Sequence, residues 1–493
     1  MAKKGELSMI LSEEWTQHID RFIVELTRNF YTPLADLSLE YFETHEQLPY
    51  EEAAKKAFSP IREGDRWGEE WQYAWFRAKV VVPPEAAGQR IVMKLDTGGE
   101  SCVFVNGVEF GTRRKDWIMV PHHFFCDLTL TDHAKAGETF DIMLESYAGH
   151  FFYEYEDCAA GPVSPGAYSV EGPRAPRALV GSNTFGIWHE DAYALYLDAS
   201  LLRDLLSRLD QNSLRAAKIA KALKDFTRAV DFETDMEHRL ESFRRAREAL
   251  APALACENGS TAPVFYGFGH AHIDVCWLWT KMETERKCLR TFASQLRHMD
   301  RYPEYRFLQS EPALYELTKK NYPALFERIR EKIKTGQWIA DGAMWVEPDT
   351  NITGGESLIR QFLFGKRYFK EEFGVDSEIA WLPDVFGYTA ALPKIMKGCG
   401  VRHFATCKIF WNYNGGEPFP YNHFMWRGHD GSEIEVFLHS DYNAPTTAAA
   451  LIDKWNERSQ KEDLDKFIVP FGYGDGGGGP SRDHIELALR QAD

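Results

Sequence analysis

No two cysteines in this chain stand in a C-x-x-C pair. Eight are scattered over 493 residues: Cys102, Cys126, Cys158, Cys256, Cys276, Cys288, Cys399 and Cys407. So few in so long a chain make no disulfide framework, and isolated thiols suit a reducing compartment. No stretch approaches the ~18 consecutive apolar residues that a membrane span requires. The N-terminus, Met1 to Glu6 running on to Glu13, Glu14 and Trp15, has no apolar core of a secretory signal. Positive charge is also scarce, with 57 Lys and Arg against 74 Asp and Glu and a formal net charge of −17. Phosphate backbones and anionic lipid surfaces are held by clustered Lys and Arg, so nucleic acid and membrane are excluded as expected partners. The expectation is a cytoplasmic protein acting on a neutral molecule.

What is present is ordinary for a globular chain: 44% hydrophobic and 27% charged residues, enough length for about three domains. The fold class expected is α/β and β multidomain. Residues 1–60 read as an N-terminal helical segment, from the helical spacing of Ile19, Phe22, Ile23 and Leu26 and the apolar run Leu34 to Tyr41. Residues 61–196 read as a β-sandwich. Short strands such as Trp75 to Val82, Ile91 to Leu95 and Phe140 to Leu144 follow one another without helices, and Asn106-Gly107 between Val103-Phe104-Val105 and Val108-Glu109-Phe110 is a strong hairpin signal. Residues 197–260 read as a helical linker, with stripes Leu201, Leu205, Leu209 and Ala217, Ile219, Ala220, Leu223. From 261 to 493 strands and helices alternate, which predicts a (β/α) barrel-like parallel-sheet domain, open or closed. In such domains chemistry gathers at the C-terminal ends of the strands.

Four segments fall at those ends. The first is Gly269-His270-Ala271-His272-Ile273-Asp274, then Cys276-Trp277-Leu278-Trp279. In extended chain His270, His272 and Asp274 share a face, and two imidazoles with a carboxylate suit Zn²⁺ or a similar ion. Equally, one His is a core residue and Asp274 caps the next helix. The second, Trp381-Leu382-Pro383-Asp384-Val385-Phe386-Gly387-Tyr388, puts a carboxylate after Pro in a Gly-containing turn; it faces a cleft or bonds its own backbone. The third, Phe471-Gly472-Tyr473-Gly474-Asp475 before four glycines and Pro480, lets a ligand approach the backbone, or is a flexible surface loop; it lacks the Lys-Ser/Thr of a phosphate cradle. The fourth, Trp345 to Asn351, adds Glu347 and Asp349, as functional carboxylates or as helix-entry caps.

Together Gly269 to Trp279, Trp345 to Gln361, Trp381 to Tyr388 and Phe471 to Pro480 resemble the α-mannosidases of glycoside hydrolase family 38, and in particular the cytosolic and bacterial branch. The resemblance implies a retaining mechanism with a zinc or cobalt ion held by His272, Asp274 and Asp384. It makes Asp384 the nucleophile and Asp475 the general acid, with Asp441 and Glu347 as the other candidates for the acid. It gives Trp277 as the floor of the sugar site and Phe386 as its lining, with His270 orienting ligands or substrate. A carbohydrate substrate is implied, and a homo-oligomer is left open. The family's further metal-ligand His lies in a motif beyond residue 493, so this chain is expected to be a truncated piece that binds metal weakly and turns over little or nothing. Two other classes share the His-x-Asp pair or the aromatic content: another metal-dependent carbohydrate hydrolase such as a deacetylase, and a non-catalytic sugar-binding protein.

Overall fold

A computed structural model describes residues 10–69, 71–113, 128–149, 178–277, 279–411, 419–462 and 464–492. Cys126 and Cys158 lie outside them. The N-terminal half is a two-sheet sandwich. One sheet runs in the order Tyr31–Asp36, Thr184–Trp188, Ile91–Lys94, Thr129–Thr131. The other runs Ser59–Ile61, Leu39–Thr44, Tyr73–Val81, Thr139–Tyr147, Glu100–Val105, Val108–Arg113. All their pairings are antiparallel. The Asn106-Gly107 hairpin is as expected, with both residues at positive φ, 51° and 81°, and Val105 paired with Val108.

The run Leu34 to Tyr41, expected to be helical, lies instead in strands. Pro33 cannot donate to a helix ladder but is tolerated on an edge strand, and Tyr31–Asp36 is one. Only Glu13–Thr27 is helical in this stretch as the spacing predicts, apart from the single turn Tyr50–Ala53. That helix packs with Glu190–Leu206, Leu214–Ala229 and Met236–Leu254 around Leu26, Tyr193, Leu223, Phe226 and Phe243.

Side chains alternate along a strand, and the six-stranded sheet uses both faces. Phe76, Val103 and Leu144 enter the sandwich core. Their neighbours Trp75, Cys102, Phe104 and Met143 enter a different core, shared with Cys288, Leu289 and Phe292 of the helix Lys281–Arg301. The sandwich is therefore fused to the C-terminal half through one sheet face.

That C-terminal half holds two four-stranded sheets. In the first, Trp338–Ala340, Phe307–Gln309, Val264–His270 and Lys466–Phe471 are all parallel. In the second, Ile379–Trp381, His403–Thr406 and Glu433–Leu438 are parallel, and His423–Arg427 pairs antiparallel at the edge. The parallel, alternating pattern is as the sequence predicts, but among the described residues the strands do not join into one closed barrel ladder. His423–Arg427 occupies the edge of Glu433–Leu438. The sheets face one another through Phe268, Leu308, Trp381 and Ala405, and backbone contacts link them where Trp381 N–H donates to Gly342 O at 3.3 Å and Ala444 pairs with Phe471. Between Phe307–Gln309 and Trp338–Ala340 the chain forms two helices, Pro312–Asn321 and Pro323–Lys334, because Pro323 starts a new first turn.

Candidate active site

Each of the seven parallel strands delivers a polar side chain just past its C-terminal end. Val264–His270 is followed by His272 and Asp274, Phe307–Gln309 by Glu311, and Trp338–Ala340 by Glu347. Ile379–Trp381 is followed by Asp384, His403–Thr406 by Lys408, Glu433–Leu438 by Tyr442, and Lys466–Phe471 by Asp475. One ligand-type atom from each of His272, Asp274, Asp384 and Asp475 lies within 4.8 Å of the others.

His272 is at the centre. Its Nδ1–H donates to Glu347 Oε1 at 3.0 Å, which turns Nε2 toward Asp384 Oδ2 at 3.1 Å and Asp274 Oδ1 at 3.4 Å. Nε2 is buried and lines up with neither as a hydrogen bond, and Asp274 Oδ2 is likewise buried without a hydrogen-bond partner. An imidazole nitrogen and carboxylate oxygens converging without bonding one another fit a divalent ion. The Glu347–His272 contact is the outer carboxylate that fixes a metal-binding imidazole. Burial alone would depress the His272 pKa, but the carboxylates of Glu347 and Asp274 raise it well above the usual imidazole range.

Glu347 also accepts the Asp384 backbone N–H, at 3.1 Å through Oε2. Both its oxygens are thus spent on orientation. Asp349, in contrast, is a turn residue, accepting from the N–H groups of Asn351 and Ile352 at 2.8 and 3.1 Å. Asp274 does not cap the next helix, whose N-cap is Thr280.

The Asp384 side chain faces the cluster and not its own turn. It pairs with Lys408 Nζ at 2.5 Å and accepts from Tyr442 O–H at 3.2 Å. Tyr442 O–H also lies 2.9 Å from Asp475 Oδ1, so one hydroxyl spans the two carboxylates. Their environments push them apart. Burial would raise the Asp384 carboxyl, but the cations of His272 and Lys408 bring it down to about 2. Burial raises Asp475, and the charges of Asp274 and Asp384 add to that rise. One carboxyl is poised as an anion and the other as an acid.

The glycine loop is packed and not loose. Asp475 has φ +51°, and Gly476, at φ +69°, donates to His272 O at 3.0 Å. A Cβ on Gly476 would lie 2.5 Å from Lys287 Cδ, so glycine is required there twice over.

Of the other expected residues, Phe386 is 60% exposed, with the Lys408 ammonium 4.6 Å from its ring centre, at the rim of the cluster. Trp277 packs edge-on to Trp279 at 5.6 Å. His270 is not placed to touch a substrate. It is buried, its Nε2 accepts from the Trp381 indole at 3.1 Å, and its Nδ1 lies 3.2 Å from Tyr442 O. Burial holds it neutral, with a pKa near 3. The extended strand ends at His270, so the alternation that would align it with His272 stops there. Asp441 is turned away, paired with Lys454 at 3.1 Å. Sequence reasoning missed Lys408, Tyr442 and Glu311. Their one signal was position, as polar residues just beyond parallel strands. The cavity between Phe110, Asp132, Arg297 and Arg301 is a separate one, lined by none of these residues.

Residues 263–493 match the glycosyl hydrolases family 38 N-terminal domain, and residues 33–170 the alpha-mannosidase jelly roll domain. Alpha-mannosidase G of Dictyostelium discoideum is 30% identical over 90% of this chain and 39% of its own length. Alpha-mannosidase 2C1 of Homo sapiens is 31% identical over 93% of this chain and 42% of its own. The alpha-mannosidase of Saccharomyces cerevisiae is 30% identical over 86% and 38%. The chain thus spans about two fifths of the length of the curated relatives it matches.

Proposed function

From the match of residues 263–493 to the glycosyl hydrolases family 38 N-terminal domain, we propose that the chain is the catalytic part of a retaining, metal-dependent α-mannosidase that removes terminal α-linked mannose from oligosaccharides or mannosides. The observation that carries this reading is the Tyr442 hydroxyl shared by Asp384 and Asp475, two carboxyls with opposite proton affinities and closest oxygens within 4.8 Å. Two carboxyls bridged by a single hydroxyl leave little room for a water between them, which favours a covalent route with retention.

Asp384, ionised and aligned by Lys408, Tyr442 and the Glu347–backbone bond, attacks the anomeric carbon. Asp475 protonates the departing oxygen. It then takes a proton from the water that hydrolyses the glycosyl–Asp384 ester. Phe386 borders the sugar, and Trp277 lies on the segment that leaves the His272–Asp274 pair. A zinc or cobalt ion held by His272 Nε2, Asp274 and Asp384 would supply Lewis-acid fixing of two adjacent sugar hydroxyls. His270 holds the Tyr442 backbone from behind and so acts on the site indirectly. A cytoplasmic setting is supported by the free thiols of Cys102, Cys256, Cys276, Cys288, Cys399 and Cys407; among the described residues no helix is long and apolar enough to cross a membrane.

The test is a panel of nitrophenyl glycosides with and without chelator, followed by a 2-deoxy-2-fluoro or 5-fluoro mannosyl trap. Chelator-sensitive preference for the α-mannoside and a label on Asp384 are expected. A metal-dependent deacetylase would leave Asp384 unlabelled, and that result rejects the proposal.

A further inference from the structure

The loop that carries Asp475 is held by side chains that have no part in the chemistry proposed above. Lys287 is buried on the helix Lys281–Arg301, with its ammonium 3.4 Å from Gly476 O, one residue past Asp475. The same ammonium lies 4.4 Å over the Trp279 ring and 3.1 Å from Glu100 Oε2. Glu100 opens the sandwich strand Glu100–Val105, and its other oxygen accepts from Arg290 Nε at 3.1 Å. Gln295, two turns further along the helix, donates to Gly478 O at 2.9 Å and to Pro480 O at 3.1 Å. The sandwich also closes in on the loop at Thr112, whose methyl lies 3.5 Å from the point where Gly478 would carry a Cβ.

A lysine ammonium is a compact point charge on a flexible stem, and it keeps one position only when its partners fix it. Here a carboxylate on the sandwich fixes it, and the ammonium in turn fixes the carbonyl that follows Asp475. Asp475 sits at φ +51°, a backbone state that a non-glycine residue keeps only when its surroundings hold it. We propose that Glu100 and Lys287 are positioning residues for Asp475, so that the N-terminal sandwich is a structural part of the proton-donating apparatus and not an appended module. The inference rests on the proposed role of Asp475 but is tested separately from it.

Amide hydrogen exchange on the full chain reads the loop without any activity. In Lys287→Met and in Glu100→Gln, amides of Tyr473 to Gly478 should exchange about tenfold faster than in the unaltered chain, while Lys466–Phe471 keeps its protection. Loop exchange that is unchanged, or faster only in step with the whole molecule, overturns the proposal. Should Lys287→Met fail to fold, Glu100→Gln decides alone, since it keeps the side-chain shape. In turnover, both variants should lose about tenfold in kcat/KM on an alkyl α-mannoside, whose leaving oxygen needs a proton. They should lose less than about twofold on 2,4-dinitrophenyl α-mannoside, whose leaving group needs none. Equal losses on both substrates mean a merely structural role and refute the idea. If the unaltered chain hydrolyses neither mannoside, the exchange result alone decides this inference.

Discussion

The C-terminal half holds two assemblies of buried charge, one at its junction with the sandwich and one at the strand ends, and they are balanced differently. At the junction with the sandwich, Glu100, Glu145 and Glu283 face Arg286, Lys287 and Arg290, three of each sign. Arg286 lies 2.8 Å from Glu145 and over the Tyr73 ring at 3.8 Å, and Tyr73 donates to Glu283 at 2.8 Å. At the strand ends, Asp274, Glu311, Glu347, Asp384 and Asp475 gather around His272 and Lys408. Buried charge is tolerated when it is paired. The first assembly pairs itself and serves as glue. The second has five carboxyls against two basic groups, and it relieves the excess by raising Glu311, Glu347 and Asp475 and by holding a proton on His272. The excess of carboxyls makes the second assembly the one suited to hold positive charge, and that sets it apart from the self-paired first.

The sharpest way to break this contrast is to remove the most depressed carboxyl. Asp384→Asn should cut turnover of α-mannosides by on the order of 10⁴-fold or more, as loss of a nucleophile does. Some thermal stability should be lost as well, because Lys408 and His272 stabilise the ionised Asp384 carboxyl in the folded chain and the amide leaves both cations without it. A loss of Tm with turnover unchanged would mean that Asp384 belongs to the scaffold class.

The mirror experiment removes a charge from the balanced assembly. Arg286→Met leaves Glu145 buried without its partner, which costs about 3–5 kcal/mol of stability. Denaturant unfolding of the two chains checks it. An effect below about 1 kcal/mol, as for an exposed pair, would remove the distinction.

Much of this contrast was legible in the sequence on one side only. The strand–helix alternation after Pro263 placed the motifs at strand ends, and His272, Asp274, Asp384 and Asp475 do converge. Asp441 was weighed where its neighbour Tyr442 matters, because a shift of one residue turns a side chain to the other side. Lys408 and Glu311 carry no local motif, since their role comes from which strands become neighbours. The glue was invisible for the same reason. Glu100 and Lys287 are 187 residues apart, and neither residue type advertises a buried pair. The barrel expectation stopped at the two seams, where closure depends on the edge strand His423–Arg427.

The proton shared out within the cluster gives a pH test. Asp475 is raised, so it stays protonated to higher pH than a free Asp, and activity that needs its proton is lost as pH climbs through that raised pKa. Asp384 is ionised from about pH 2 upward, so it sets no acid limb in the working range. Asp475→Asn should cost on the order of 10²–10³-fold on poor leaving groups and erase the alkaline limb of kcat/KM. A limb that persists in this variant assigns the proton elsewhere.

The smallest expected effect probes whether Glu347 belongs with the cluster's chemistry or with its support. Glu347→Gln keeps the shape and can still accept one hydrogen bond, but it removes the charge that turns His272 Nε2 inward. Loss of such an outer carboxylate lowers metal affinity about 10–100-fold while leaving the ligands in place. Zinc titration of the purified chain, read calorimetrically at several pH values, measures it directly. Because the carboxylates hold a proton on His272, zinc binding should release it, and the affinity should fall as pH is lowered. In the variant the proton release should shrink along with the affinity, since Glu347 is the larger of the charges that keep the proton there. Equal affinity and equal proton release in both chains would make Glu347 a bystander, and the imidazole's orientation would have to come from packing against Tyr442 alone.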